Sequence, residues 1–383
     1  MDFDWQWLLL AAPLLFAAGW VAARLDLRQL RRARRETPNA LFKGLNLLLN
    51  EQHDAAIDAF IEAVQNDPDT AELHFALGNL FRRRGEYERA VRVHEHLLQR
   101  ADLSDVDRAR AQQALALDYQ RAGLFDRAEA AWRALEGTPL QQEARVALLG
   151  LLERARDWPA ALEIAKQLAR EGGDGQFAPR IAHHHAELAQ AAQARGDEDA
   201  EAAELQAAAE AAPQALRPQV QMAQRHARRG EYAQAACRYG NLAATQPSCL
   251  PLIAEPWALS VIESGDAALR AQAQATLETA HASQGSVDVL RAWLRLRPAD
   301  ESVTAWTTQL QARPGLRAAH ELMNARADAE PGLQATARTL ARAAAAPSRH
   351  RCAACGFEAQ RFFWQCPGCL SWDSFPPQRV EEL

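Results

Sequence analysis

The chain has 383 residues, a mass of 42.3 kDa and a formal net charge of −6, with 48% hydrophobic and 24% charged residues. That composition excludes a disordered chain, and the mild acidity gives no case for a nucleic-acid surface. Six cysteines over this length exclude a disulfide-stapled miniprotein. Four of the six form two C-x-x-C pairs near the C-terminus, while Cys237 and Cys249 read as buried thiols. Abundant alanine and sparse β-branched residues and tyrosine favour helices over sheets.

The first element predicted is a membrane anchor within residues 1–24. From Trp5 to Ala23 the chain carries no charge, and nineteen helical residues span about 28 Å, close to the hydrocarbon thickness. Trp5, Trp7 and Trp20 mark its edges as an aromatic belt would. Only Asp2 and Asp4 precede it as charges, whereas Arg24, Arg28, Arg31, Arg32, Arg34 and Arg35 follow. A signal peptide has the opposite layout, a basic leader and a cleavage site after the apolar core. The positive-inside rule therefore sets the N-terminus outside and everything past Arg24 in the cytoplasm. Residues 25–36 form a basic juxtamembrane segment suited to anionic lipids.

Residues 37–249 repeat with a period near 34. Gly85-Glu-Tyr87-Glu-Arg-Ala90 aligns with Gly123-Leu-Phe125-Asp-Arg-Ala128, with Gly230-Glu-Tyr232-Ala-Gln-Ala235 and, more weakly, with Arg156-Asp-Trp158-Pro-Ala-Ala161. Gly44 and Gly78 lie 34 apart, as do Ala56 and Ala90, and Pro213 and Pro247. The spacing of 38 from Ala90 to Ala128 implies a four-residue insertion near Asp102–Asp105. This pattern resembles the tetratricopeptide repeat, in which small residues let two helices cross closely and large ones fill the gap to the next unit. About six units follow, at 37–70, 71–104, 105–141, 142–175, 176–215 and 216–249. The fifth is degenerate, because its turn Gly196-Asp-Glu-Asp-Ala200 lacks the aromatic. Helices continue as two or three weaker units over 250–346. The expected fold is all-α: a superhelical tetratricopeptide-repeat solenoid, one N-terminal transmembrane helix and a small C-terminal metal ribbon.

A solenoid of this kind presents the first helix of each unit to a groove. By the repeat phase Phe75, Asn79, Arg82, Arg83, Gln113, Leu117, Gln120, Arg121, Gln224 and Arg228 face it. Asn79, Arg82, Arg83, Gln120, Arg121 and Arg228 make it basic and amide-rich, suited to an acidic or C-terminal peptide; otherwise they are solvated surface. His183-His184-His185 is no metal site, because consecutive helical residues point about 100° apart. These three are expected to divide between surface and core.

The tail, residues 350–375, carries Cys352, Cys355, Cys366 and Cys369 spaced C-x2-C-x10-C-x2-C. Each pair lets one tight turn offer two thiolates, and two turns complete a tetrahedron around one metal ion. Zinc is the default for a closed four-thiolate site, with iron the runner-up. The knuckles C-x-x-C-G-F and C-P-G-C resemble rubredoxin, though the ten-residue gap is much shorter. So short a ribbon cannot bury Phe357, Phe362, Phe363, Trp364, Trp372 and Phe375 by itself, which predicts that it packs back onto the repeats.

Anchor, basic run, repeats and ribbon together resemble the lipopolysaccharide assembly protein B family of Gram-negative bacteria. The segments Cys352-Ala-Ala-Cys355-Gly-Phe357 and Trp364-Gln-Cys366-Pro-Gly-Cys369-Leu-Ser-Trp372 make the resemblance specific. It implies a non-enzymatic inner-membrane adaptor, its N-terminus periplasmic and its repeats and ribbon cytoplasmic. It further implies three protein partners: the protease FtsH, its client LpxC (the deacetylase of lipid A synthesis) and a membrane protein that senses lipopolysaccharide. A homo-oligomer is left open. No G-x-S-x-G, H-E-x-x-H or phosphate-loop motif is present in the sequence. The alternatives are an electron-transfer protein with an iron site and a generic envelope-assembly scaffold.

Overall fold

The computed structural model describes residues 52–66, 71–172, 175–327 and 330–383, with isolated positions before residue 52. The apolar segment 5–23 lies almost wholly outside the described residues. Among those residues no helix is long and apolar enough to cross a membrane. The chain divides into two compact units, 1–151 and 152–383.

The first unit contains α1 (His53–Asn66), α2 (Ala71–Arg83), α3 (Tyr87–Leu98), α4 (Asp105–Arg121) and α5 (Phe125–Arg133), and the division falls inside α6 (Gln141–Ala155). Antiparallel pairing follows from three-residue breaks centred on left-handed glycines, Gly85 at φ 81° and Gly123 at φ 77°. Where the helices cross, the side chains are small and fully buried: Ala56, Ala90 and Ala128. Phe60, Leu73, Leu77, Leu80 and Phe81 fill the space between α1, α2 and α3. Gly78 has a further reason to be glycine, since a Cβ there would sit 2.5 Å from the His94 ring. His94 in turn donates from Nδ1 to Asp118 Oδ2 at 2.5 Å, and Arg82 Nη1 reaches Asp118 Oδ1 at 2.8 Å. One buried carboxylate on α4 thus ties down both helices of the preceding pair. The expected insertion is the α3–α4 connection, where Ser104 caps α4 through the Asp107 N–H and Arg108 donates to the carbonyls of Leu98 and Arg100.

The second unit continues with α7 (Trp158–Gly172), α8 (Ala178–Arg195), α9 (Glu198–Ala211), α10 (Leu216–Arg228) and α11 (Tyr232–Thr245). Then come α12 (Leu250–Ser264), α13 (Ala267–Gln284), α14 (Val287–Arg295), α15 (Ser302–Ala312), α16 (Leu316–Ala327) and α17 (Gln334–Ala344). The turn before α7 is anomalous. Arg156 stands in the left-handed region at φ 58°, in the place held by glycine in the neighbouring turns. A non-glycine residue there costs about 1 kcal/mol. The core runs through Tyr239, Ile253, Trp257, Val261 and Leu277, and a second cluster holds Val287, Leu290, Trp306 and Leu322. After α17 the chain forms a two-stranded antiparallel ribbon, β1 (His350–Arg351) with β2 (Glu358–Ala359), and a bridge between Gln365 and Trp372. Each unit is all-α and built of tetratricopeptide-like helix pairs, and the second ends in a four-cysteine ribbon.

Two expectations need correcting. Cys237 is exposed, because its place on α11 faces away from the core that covers Cys249, whose thiol burial pushes up to about 11. None of the three consecutive histidines is surface: His183, His184 and His185 are 2%, 0% and 8% exposed. Helical rotation sends each to a different carboxylate, Asp373, Glu153 and Glu204 respectively.

Candidate metal centre and its seat on the helices

Two tight turns bring the cysteines together. The Gly356 N–H donates to the Cys352 carbonyl at 2.9 Å, and the Leu370 N–H to the Cys366 carbonyl at 2.8 Å. Gly356 takes φ 78°, a conformation few other residues adopt cheaply. All four Sγ atoms lie within 4.8 Å of one another. Two separations, Cys352–Cys369 at 3.8 Å and Cys355–Cys366 at 3.7 Å, are far longer than a disulfide bond of about 2.05 Å. They match the edge of about 3.8 Å of a sulfur tetrahedron with metal–sulfur bonds near 2.3 Å. The donor set therefore fits one tetrahedral ion. Cys352 and Cys366 are buried, and Cys355 and Cys369 lie at the surface.

Electrostatics divide the sulfurs: at Cys355 the Phe357 N–H favours the thiolate, but burial and the thiols of Cys369, Cys366 and Cys352 push it up to about 12, whereas two others are lowered. Burial works against a thiolate at Cys352, yet the Ser374 hydroxyl at 3.3 Å and the backbone N–H groups of Cys355 and Ala354 outweigh it and pull the thiol down to about 6. Cys369 is lowered likewise, first by the Ser371 hydroxyl at 3.3 Å. Oriented dipoles aimed at sulfur are what a thiolate ligand requires.

The ribbon is seated on the helices of its own unit through Trp372. Its indole stacks on His183 of α8 with centroids 4.4 Å apart, and Trp158 of α7 approaches at 6.0 Å. Asp373 accepts from His183 Nε2 at 2.7 Å. Behind this, Glu153 holds His184 at 2.8 Å and Arg180 at 2.7 and 3.1 Å. Burial opposes its ionisation, but these partners keep the carboxyl below its usual range. Trp364 packs against the main core cluster. Phe375 is buried in the ribbon with Phe362 and Phe363. Phe357 is the exception among the six aromatics, remaining 41% exposed beside Gly368.

A second seat is electrostatic. Glu382 accepts from the Val287 N–H at 2.8 Å and from Arg317 Nη1 at 2.8 Å, and Glu381 accepts from the N–H groups of Leu316 and Arg317. Glu381 and Glu382 thereby cap α16 and α14 respectively. Asp288 joins them, taking Arg317 at 2.7 Å and Arg379 at 2.8 Å.

A sequence profile described as "Rubredoxin metal binding domain" matches residues 350–377. Lipopolysaccharide assembly protein B of Escherichia coli (strain K12) is 30% identical over 97% of this chain and 98% of its own length. The chain belongs to the lipopolysaccharide assembly protein B family. The Haemophilus influenzae protein of that name is 26% identical, over 98% of both chains. Among solved structures, a tetratricopeptide repeat protein from Parabacteroides merdae superposes with TM-score 0.35 at 15% identity, covering 68% of this chain and 98% of its own.

In this member of the lipopolysaccharide assembly protein B family the six groove candidates differ in what holds them. Arg82 is engaged with Asp118, Asn79 and the Ala114 carbonyl, all within its own unit. Gln120 lies 3.4 Å from the Trp132 indole nitrogen, and Arg228 pairs with the buried Glu201. Arg83 and Arg121 are exposed. Residues that hold the ribbon escaped the sequence reading. His183, Trp158, Arg217 (its guanidinium 5.8 Å from the Trp372 ring), Asp288 and Arg317 come from distant helices, and only the aromatic density of residues 357–375 signalled that a seat was needed.

Proposed function

We propose that the protein is an inner-membrane adaptor of lipopolysaccharide assembly and not an enzyme. The observation that carries this reading is the full-length match to relatives named lipopolysaccharide assembly protein B, helices and ribbon included. Residues 5–23 form the anchor, with the N-terminus periplasmic and the remainder cytoplasmic. The repeats hold the protease FtsH and its client LpxC together and so promote LpxC degradation, under the control of a membrane protein that senses lipopolysaccharide. Confinement to one membrane raises the effective concentration of adaptor and protease. Exposed Arg83 and Arg121, with Asn79 and Gln120 beside them, form part of the partner surface, whereas Arg82 and Arg228 act chiefly by fixing the repeats. Cys352, Cys355, Cys366 and Cys369 hold one zinc ion, which supplies folding free energy to the ribbon and no redox chemistry.

The test compares cells carrying the full chain with cells carrying a form that lacks residues 1–24. The full chain shortens the LpxC half-life and co-purifies with FtsH and LpxC; the truncated form stays folded and does neither. An LpxC half-life unchanged by depletion of the protein would overturn the reading in favour of a general envelope scaffold.

A further inference from the structure

Between α7, α8 and the ribbon lies a cleft of about 540 Å³, lined by Arg156, Trp158, Glu187, Arg217, Phe362 and Trp364 among others. Arg361 and Phe363 also line it. Its charge is unbalanced. Three arginines face one carboxylate, Glu187, and that carboxylate is already paired with Arg217 Nη2 at 2.8 Å. Arg217 is only 2% exposed and its guanidinium lies 5.8 Å from the Trp372 ring, yet its Nε and Nη1 have no hydrogen-bond partner among the described residues. Leaving such N–H groups buried and unmatched is costly. Burial accordingly lowers the pKa of this guanidinium, with Glu187 only partly offsetting the effect. Arg156 is exposed, makes no ion pair among the described residues, and occupies a left-handed turn position where the neighbouring turns carry glycine. Backbone strain held at a cleft is a recurring mark of a used residue. Arg361 has no acid partner among the described residues either and lies over the Phe363 ring at 4.9 Å.

We propose that this cleft binds an extended acidic peptide segment of a partner protein, in which a carboxylate side chain stands next to an aromatic or large aliphatic one. The carboxylate meets Arg156 and Arg361 at the mouth, with the positive charge of the buried Arg217 behind them. The apolar neighbour lies against Trp158, Phe362 and Trp364. Charge complementarity selects the acid, and the aromatic walls reward an adjoining apolar side chain. The ribbon then acts as one wall of a binding site, formed only while the metal centre is folded and seated. This goes beyond the adaptor reading, since it concerns the chemistry of the recognised segment and stands whichever protease or client is involved.

The experiment uses the full chain in detergent micelles and fluorescence anisotropy with two labelled short peptides. Both have the sequence Gly-Ser-X-Phe-Leu-Gly-Ser, with X either Asp or Asn. The Asp peptide is expected to bind about tenfold more tightly, equivalent to about 1.4 kcal/mol. The double variant Arg156→Gly with Arg361→Gln should reduce the Asp peptide to the level of the Asn peptide and leave the Asn peptide unchanged. Arg156→Gly also relieves the left-handed strain, so a melting temperature at or above that of the parent shows that the loss is not unfolding. Equal affinity for the two peptides overturns the proposal, as does undiminished binding by the variant. Displacement of the Asp peptide by phosphatidylglycerol in mixed micelles would reassign the cleft to a lipid headgroup. Self-association abolished by the same substitutions would reassign it to a second copy of the chain. Because neither FtsH nor LpxC is present in the assay, its failure leaves the adaptor reading untouched.

Discussion

Trp372 of the ribbon lies flat on His183 of α8, the ring planes 13° from parallel. Two residues 189 positions apart thus share one stack, and the adjacent Asp373 closes a hydrogen bond to the same imidazole. The contact decides what the metal centre can do. A ribbon with a buried core of little beyond Cys352, Cys366 and Phe375 takes its orientation on the helices from this stack, from Trp364 against the main core and from the ion pairs and caps of Arg379, Glu381 and Glu382.

Truncating the stack should loosen the ribbon without emptying it. Trp372→Ala removes a half-buried indole and is expected to cost about 2 kcal/mol, below the range for fully buried tryptophans. Hydrogen exchange should rise across residues 350–375, while metal content and helical circular dichroism stay at parental values. Metal loss in this variant would show that the four-cysteine site depends on the seat.

The acidic seat should respond to pH. Burial disfavours the charged form of Asp288, but Arg317, Arg379 and Arg291 outweigh it and hold the carboxyl below its ordinary value. A carboxyl depressed in the folded state contributes stability above its unfolded pKa of about 3.9, and that contribution is lost as pH falls through the folded value. Acid should therefore release the C-terminal segment below about pH 4. Asp288→Asn should produce the same release at neutral pH, costing about 3 kcal/mol because Arg317, 3% exposed, loses one of its two carboxylates. Limited proteolysis after Arg349 across a pH series, parent against variant, measures both.

What the sequence revealed was local. The cysteine spacing, the Gly-x-aromatic turns and the small residues at helix crossings each act within a few residues, so their chemistry shows in the spacing alone. The rest was long-range. Nothing near His183 indicates Asp373, and helical rotation explains why three histidines cannot share an ion without saying that each meets a carboxylate. Arg82 was read by repeat phase as a groove residue, and that phase carries no information about Asp118 on the next helix pair. Arg156 aligns with three turn glycines, and that mismatch together with the aromatic run 357–375 is visible in the sequence, whereas their meeting in one cleft is not.

Gly78 and Gly150 both sit inside helices, and their substitution should have opposite signs. Alanine normally gains about 1 kcal/mol over glycine at such a position. Gly150 has open space around its Cβ, so Gly150→Ala should gain about that amount. At Gly78 the new methyl would stand 2.5 Å from a His94 ring fixed by Asp118. The ring cannot retreat without breaking that hydrogen bond, so Gly78→Ala should lose about 2 kcal/mol through overpacking. Thermal unfolding of the two variants side by side is the check.

Removing one sulfur tests whether the ribbon is a metal-built module. Cys366 is fully buried, and Cys366→Ser replaces a thiolate with a far weaker ligand. Structural zinc contributes on the order of 10 kcal/mol to so small a domain, far more than the two strands of two residues can supply. The variant should lose its ion and its ordered ribbon, and Trp372 should leave His183, seen as a shift in tryptophan emission. Helical circular dichroism should persist, because the helix pairs are stabilised by their neighbours. Elemental analysis of the parent should find one zinc per chain and a colourless protein. A red parent that bleaches on reduction would identify iron and favour electron transfer. Helicity lost along the whole chain would make the ribbon a cap on which the array depends. Lost metal with undiminished LpxC turnover would remove the ribbon from the adaptor's working surface altogether.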